Sequence, residues 1–228
     1  KRMLTEEFQD PLYGHVQLWC PIMPNYAEPL ARARQRLGEE VWWYVCTGPK
    51  APYCTLFIDK PAIELRMWLW QTWKYGVQGI LIWHTNWWTS TGPFPGPDVQ
   101  NPWEDPMSYV DASTGFWGNG DGRFFYPANR DPNGDRETEY VEAPISSLRW
   151  EMLGVGIQDW EYFRILADRV RAAEARGDRS PRVRAARELL RVPPEITLDM
   201  VRFTRDPRLL EAHREKLADA IEHLAAAR

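Results

Sequence analysis

One segment concentrates groups able to hold a polar ring. The apolar run Ile80–Ile82 ends in Trp83, His84, Asn86, Trp87 and Trp88, within ILIWHTNWWTS. An indole offers a flat apolar face and one N–H donor. The C–H face of a pyranose stacks on such a plane. An amide such as Asn86 donates and accepts together, which suits a sugar hydroxyl, and His84 can bond a hydroxyl as well. The same residues also read as ordinary packing between a core and the loop above it. One strand earlier, VWWYVC (Val41–Cys46) repeats the theme. Side chains alternate along a strand, so Trp42 and Tyr44 share one face while Trp43 and Val45 share the other. The pattern does not say which face meets a ligand. Trp43 and Tyr44 are therefore both candidates for contact with a ring, beside Tyr53 in the following loop. GNGDGRFF (Gly118–Phe125) looks superficially like a calcium loop, but its spacing fails and no Glu closes it. It reads as a turn capped by Asp121, and Asp121 and Asn119 join the set of groups for a hydroxyl. No metal site and no cofactor are expected. Cys20, Cys46 and Cys54 make neither a CxxC pair nor a disulfide framework, and read as buried thiols.

The elements that position these groups alternate. Lys1–Thr5 and His15–Cys20 read as strand-like pieces. Ala27–Leu37 reads as a helix stopped by Gly38, and Val41–Cys46 as a strand. A Pro- and Gly-rich loop, Thr47–Lys60, leads to a helix over Pro61–Tyr75 ended by Gly76, then to a strand over Gly79–Trp83. Strand, loop, helix, strand is the parallel βαβ signature. In β/α barrels the loops after the strands build the active site, which would set IWHTNWW on the working rim. Thr89–Ala143 reads as a long loop. Its aromatics, Phe94, Trp103, Tyr109, Phe116, Trp117, Phe124, Phe125 and Tyr126, argue against disorder.

Pro144–Arg176 follows as a long helix with Leu148, Met152, Val155, Tyr162 and Leu166 on one face. Amphipathic helices are expected near Pro181–Arg191 and Asp206–Ala227. Arg66, mid-helix among large apolar residues, is expected to bond a loop carboxylate, Asp59 being the candidate; Asp59 reads first as a helix cap. Arg149, Glu151, Asp159 and Glu161 read as helix-face charges or interhelical pairs. A full eightfold barrel takes about 250 residues, and only about four strand-like units fit here. The expected fold is α/β: the C-terminal half of a (β/α)8 barrel over 1–176, with a helical extension over 177–228, or else a small open α/β domain.

Composition narrows the function. The chain has 228 residues, 44% of them hydrophobic, and a formal net charge of −4, enough for a sizeable core. No basic stripe supports nucleic-acid binding. No apolar run reaches membrane-spanning length and no signal-peptide pattern opens the sequence, so membrane insertion is not expected. Of 13 tryptophans, most crowd the first half, and the last third turns Ala-, Arg-, Glu- and Leu-rich.

The motifs VWWYVCTGPKAPYCTLFID, ELRMWLWQTWKYGVQGILIWHTNWW, GNGDGRFFYP and PISSLRWEMLGVGIQDWEYFRIL, in this order, resemble the conserved-domain family of unknown function numbered 4091. That domain is the C-terminal barrel part of proteins similar to family 123 β-N-acetylgalactosaminidases. The resemblance runs from about Thr5 to Leu166. It implies a (β/α)8 barrel that hydrolyses N-acetylhexosamine-containing glycans, often outside the cytoplasm. It also implies retention of configuration, with the substrate's own 2-acetamido group as nucleophile. An adjacent Asp-Glu pair would orient that group and supply the general acid/base. The pair is expected upstream of this chain, because Glu6-Glu7 lacks its context. Gln17 stands where the resemblance leads one to expect Asp, and LGVGIQD (Leu153–Asp159) replaces a more charged helix pattern. The partners implied are a glycan substrate and the upstream half of the barrel or a partner subunit. A non-catalytic carbohydrate-binding or structural half-barrel is the alternative.

Overall fold

The computed structural model describes residues 1–88, 101–111, 116–128 and 143–225. Four short strands form one parallel sheet: β1 (Met3–Leu4), β2 (Leu18–Trp19), β3 (Glu40–Tyr44) and β4 (Gly79–Leu81), adjacent in chain order. Helix α1 (Glu28–Arg36) connects β2 to β3, and α2 (Ile63–Lys74) connects β3 to β4. These are the helical crossovers that parallel strands require. Each helix is followed within two residues by a glycine in the left-handed region, Gly38 (φ 84) and Gly76 (φ 64), which lets the chain turn back into the sheet.

The alternation of β3 resolves the ambiguity left by its sequence. Val41, Trp43 and Val45 are buried on the helix side. There Trp43 meets Tyr26 and Tyr75 edge-on or tilted, at 5.3 and 5.8 Å, and its Nε1 donates to Thr72 Oγ1 of α2 at 2.9 Å. Trp42 and Tyr44 take the opposite face. Gly79, opposite Trp42 in the ladder, must be glycine: a Cβ would come within 2.5 Å of that indole.

Every residue of α2 from Glu64 to Thr72 is buried, because the helix lies between the sheet and α3 (Leu148–Ala175), with α5 (Pro207–Ala225) beyond. The short α4 (Pro181–Leu189) packs on both α3 and α5. The buried stripe of α3 is Leu153, Gly156, Asp159, Phe163, Leu166, Val170 and Ala173. Of the expected apolar face only Leu166 lies on it, and Leu148 is 70% exposed. Two non-apolar residues explain the rotation. Gly156 admits the α2 backbone, since a Cβ there would sit 3.0 Å from Arg66 Cα. Asp159 is buried as a charge because Arg66 Nε (2.5 Å), Trp70 Nε1 (2.7 Å) and Arg214 Nη1 (3.2 Å) surround it. Arg66 thus bonds Asp159, and Glu211 as well, and not Asp59.

The segment expected as one long loop holds regular structure: β5 (Met107–Asp111) pairs antiparallel with β6 (Phe116–Asn119), and β7 (Phe125–Tyr126) pairs with β8 (Ile145–Ser146), which takes the first residues of the helix expected from Pro144, so that α3 begins only at Leu148. Phe94 and the rest of 89–100 lie outside the described residues, as do 129–142 and the end of the last expected helix. Among the described residues no helix is long and apolar enough to cross a membrane.

Candidate functional site

Beyond the C-terminal end of β4 the chain is zipped onto the turn that follows β6. Trp87 N donates to Gly122 O at 2.9 Å, and Phe124 N and Phe125 N both donate to Thr85 O. Asn86 bridges Arg123, and Trp88 Nε1 donates to Phe125 O at 2.9 Å. The two glycine- and aromatic-rich stretches singled out in the sequence are therefore one structure. They overhang a cavity of about 350 Å³ lined by Thr5, Tyr44, Cys46, Thr47, Leu81, Trp83 and Asp121. That volume lies at the small end of the ~300–1,000 Å³ typical of ligand sites. Apart from Asp121, which the turn after β6 supplies, the lining comes from β1, β3 and β4 at or just past their last ladder residues, where open parallel sheets place ligands.

Three of the expected residues, Tyr44, Trp83 and Asp121, meet here. Trp83 Nε1 donates to Asp121 Oδ1 at 2.9 Å, which leaves the indole face free of that bond. Asp121 is fully buried on the cavity floor and its Oδ2 has no hydrogen-bond partner. Burial lifts this carboxyl to about 6, against the pull of the Trp83 indole, the Gly122 N–H and Arg149. Burial also pushes the Tyr44 phenol up to about 12 and raises the Cys46 thiol. Both stay protonated at neutral pH. Thr5 and Thr47 add hydroxyls. The lining thus pairs apolar and aromatic surface with neutral hydroxyl and thiol groups and a single carboxylate, which suits an uncharged polyhydroxy ligand better than an anion.

The other expected residues sit elsewhere. Trp43 is fully buried on the helix side and cannot touch the cavity. His84 and Trp87 pack on Trp83, with ring centroids 5.6 and 5.4 Å away, but neither lines the cavity; Trp87 is itself buried. Asn86 is exposed beside them, outside the lining. Asn119 turns its amide to Asp59, donating to both carboxylate oxygens at 3.0 Å. Asp59 accordingly ties the turn to the loop after β3 and does not cap α2, whose N-cap position is Ala62. Gln17 lies at the other end of its strand and accepts from Arg2 N at 2.9 Å. The cysteines are free thiols.

Sequence reasoning missed Thr5, Cys46, Thr47 and Leu81. Position relative to the strand end would have found Cys46 and Thr47, which closely follow Tyr44. It also missed the role of Arg149, read as a helix-face charge or interhelical pair. Arg149 is buried and holds the carbonyls of Leu56, Gly120 and Arg123.

The fold and site define an α/β protein with a cavity at the C-terminal edge of a parallel sheet. Residues 5–166 match the family described as glycoside hydrolase 123, catalytic domain, and the chain belongs to that family. Among solved structures it is similar to a family 123 glycoside hydrolase from Clostridium perfringens, studied for glycolipid glycan hydrolysis. The identity is 17% and the TM-score 0.57, over 98% of this chain and 35% of that one. The chain thus spans about a third of that structure's length. No curated protein sequence matches it.

Proposed function

We propose that this chain is the C-terminal half of a (β/α)8 glycoside-hydrolase barrel, and that its cavity forms one wall of a site for an N-acetylhexosamine-containing glycan. Residues 1–176 would be the barrel portion and 177–228 a helical extension. The finer likeness to the conserved-domain family numbered 4091 belongs to the same proposal. The observation that carries it is the cavity of Tyr44, Trp83, Thr5, Thr47 and Asp121 at the strand ends of a family 123 catalytic domain. In this reading the Trp83 face stacks on the sugar ring, and Tyr44 donates its phenolic proton to a ring substituent.

Glycoside hydrolysis needs a carboxylic acid to protonate the leaving oxygen and a nucleophile opposite it. The lining described here holds one carboxylate, Asp121, fully buried and bonded to Trp83. The acid/base pair is therefore assigned to an upstream segment that also completes the sheet beyond β1 and β4, each of which pairs on one side only among the described residues. The same unpaired edges favour the second reading, a half-barrel that binds sugar or a partner without catalysis.

Turnover of an aryl N-acetyl-β-galactosaminide decides between them. The complete protein is expected to hydrolyse it with retention, and residues 1–228 alone are expected to be inactive. Activity of residues 1–228 alone would move the acid into this chain, to Glu6 or Glu7 first. Binding without turnover by the complete protein would establish the non-catalytic reading.

A further inference from the structure

Arg149 lies in the first turn of α3, just after the N-cap Ser147, whose hydroxyl accepts from Trp150 N. Arg149 is only 5% exposed, and its guanidinium holds three carbonyls on two segments at once. Nη1 donates to Leu56 O (2.8 Å) and Gly120 O (2.7 Å), and Nη2 donates to Arg123 O (2.6 Å). Leu56 belongs to the loop after β3, while Gly120 and Arg123 bracket Asp121. The Phe124 ring lies against the guanidinium, 5.0 Å from centroid to Cζ.

The turn between these contacts has no slack. Gly120 (φ +80) could not carry a Cβ without bringing it to 2.8 Å from Arg149 Nη1 and 2.7 Å from Ile58. A Cβ on Gly122 (φ +71) would come to 2.8 Å from the Trp83 ring. Asp121, between the two glycines, accepts the Trp83 N–H. Contact is unbroken from Arg149 through the turn to the indole that walls the cavity.

We infer that Arg149 is a positioning residue for the cavity: by fixing the carbonyls on either side of Asp121 it sets the carboxylate that orients Trp83. Lysine would keep the charge but lacks the planar fork that reaches three carbonyls. The inference rests on the reading of Trp83 as the sugar-stacking wall, and its test separates the two.

The measurement is the indole N–H resonance of Trp83 in the complete protein, assigned with Trp83→Phe, together with the affinity for free N-acetylgalactosamine. Arg149→Lys and Arg149→Met are expected to shift the Trp83 resonance and weaken sugar binding at least about fivefold. The Trp43 resonance, on the far side of the sheet, should stay in place. Asp121→Asn, which keeps an acceptor for the indole, should hold the Trp83 resonance nearer its native position than Asp121→Ala does. If Arg149→Met does not fold, Arg149→Lys carries the decision. An unchanged Trp83 resonance with native affinity in Arg149→Lys overturns the inference. So does a Trp83 shift that appears only together with a Trp43 shift, since that is general loosening. If the native protein binds no sugar, the reading of the cavity fails, while the Trp83 resonance still decides the positioning.

Discussion

Replacing Asp121 with asparagine probes the electrostatics of the cavity floor. The native carboxyl is fully buried, with one oxygen bonded to Trp83 and the other without a partner. Burial raises it from 3.8 to about 6. The folded protein therefore holds this proton more tightly than the unfolded chain does. The cost of burying the ionised group is absent below the unfolded value, grows as the pH rises towards about 6, and is complete above it. At about 1.4 kcal/mol for each tenfold change in proton affinity, that cost comes to about 3 kcal/mol. The asparagine side chain would carry no charge at any pH and would keep an acceptor for the Trp83 N–H. Of the groups facing Asp121, Arg149 keeps its charge throughout, while the Cys46 thiol and Tyr44 phenol, both raised by burial, stay neutral. The stability of Asp121→Asn relative to the native protein should therefore rise by about 3 kcal/mol between roughly pH 3.5 and pH 8, whatever its offset at acid pH. Urea unfolding followed by tryptophan emission reads this directly. With a slope of about 3 kcal/mol/M, the variant's midpoint should gain about 1 M on the native midpoint across that range. Parallel stability curves, with the same offset at both ends, would refute the reasoning, because they would mean that Asp121 ionises as freely folded as unfolded.

The two tryptophans that the sequence left equivalent should separate in a pair of truncations. Trp43→Ala should cost about 3–5 kcal/mol in the same unfolding assay, as expected for a large buried side chain, whereas Trp83→Ala should cost much less stability and weaken sugar binding about tenfold or more by titration calorimetry. Asp159→Ala should destabilise by about 3–5 kcal/mol, because it takes from buried Arg66 its buried partner, leaving it only the exposed Glu211, and from Trp70 its acceptor; Asp159→Ala with Arg66→Met together should recover part of that loss in a double-mutant cycle.

The sheet and its crossovers were legible because local signals and tertiary packing agree. Gly38 and Gly76 stop α1 and α2 as expected, and β3 is β-prone along its whole length. The buried face of α3 was not legible. Its stripe is drawn through a glycine and an aspartate, and hydrophobic periodicity gives neither any weight. Asp159 is inside only because Arg66, Trp70 and Arg214 converge on it from two other helices, a pairing that spans 93 residues of sequence in the case of Arg66. Arg149 failed for the same reason. Its partners are backbone carbonyls, which no sequence pattern records.

The candidate site shows what an indole count can and cannot say. Most of the argument for a ring-binding site came from tryptophans, yet Trp19, Trp43, Trp68 and Trp70 are fully buried core residues. Trp83 differs in one respect: it lies two residues past the last ladder residue of β4, Leu81, where the parallel sheet ends. A tryptophan within a strand or helix has its surroundings filled by the layers packed on it. One just past a strand end is buried only by whatever loop returns over it. Here that loop is the Gly118–Arg123 turn, which meets Trp83 with a carboxylate at the N–H and a glycine backbone against the ring. The carboxylate holds the indole by its N–H, the Gly122 backbone lies close to its six-membered ring, and Trp83 still lines the cavity beside it. The GDG motif and the WHTNWW motif thus have one physical explanation, although 38 residues separate Trp83 from Asp121: the first is the tool that orients the second.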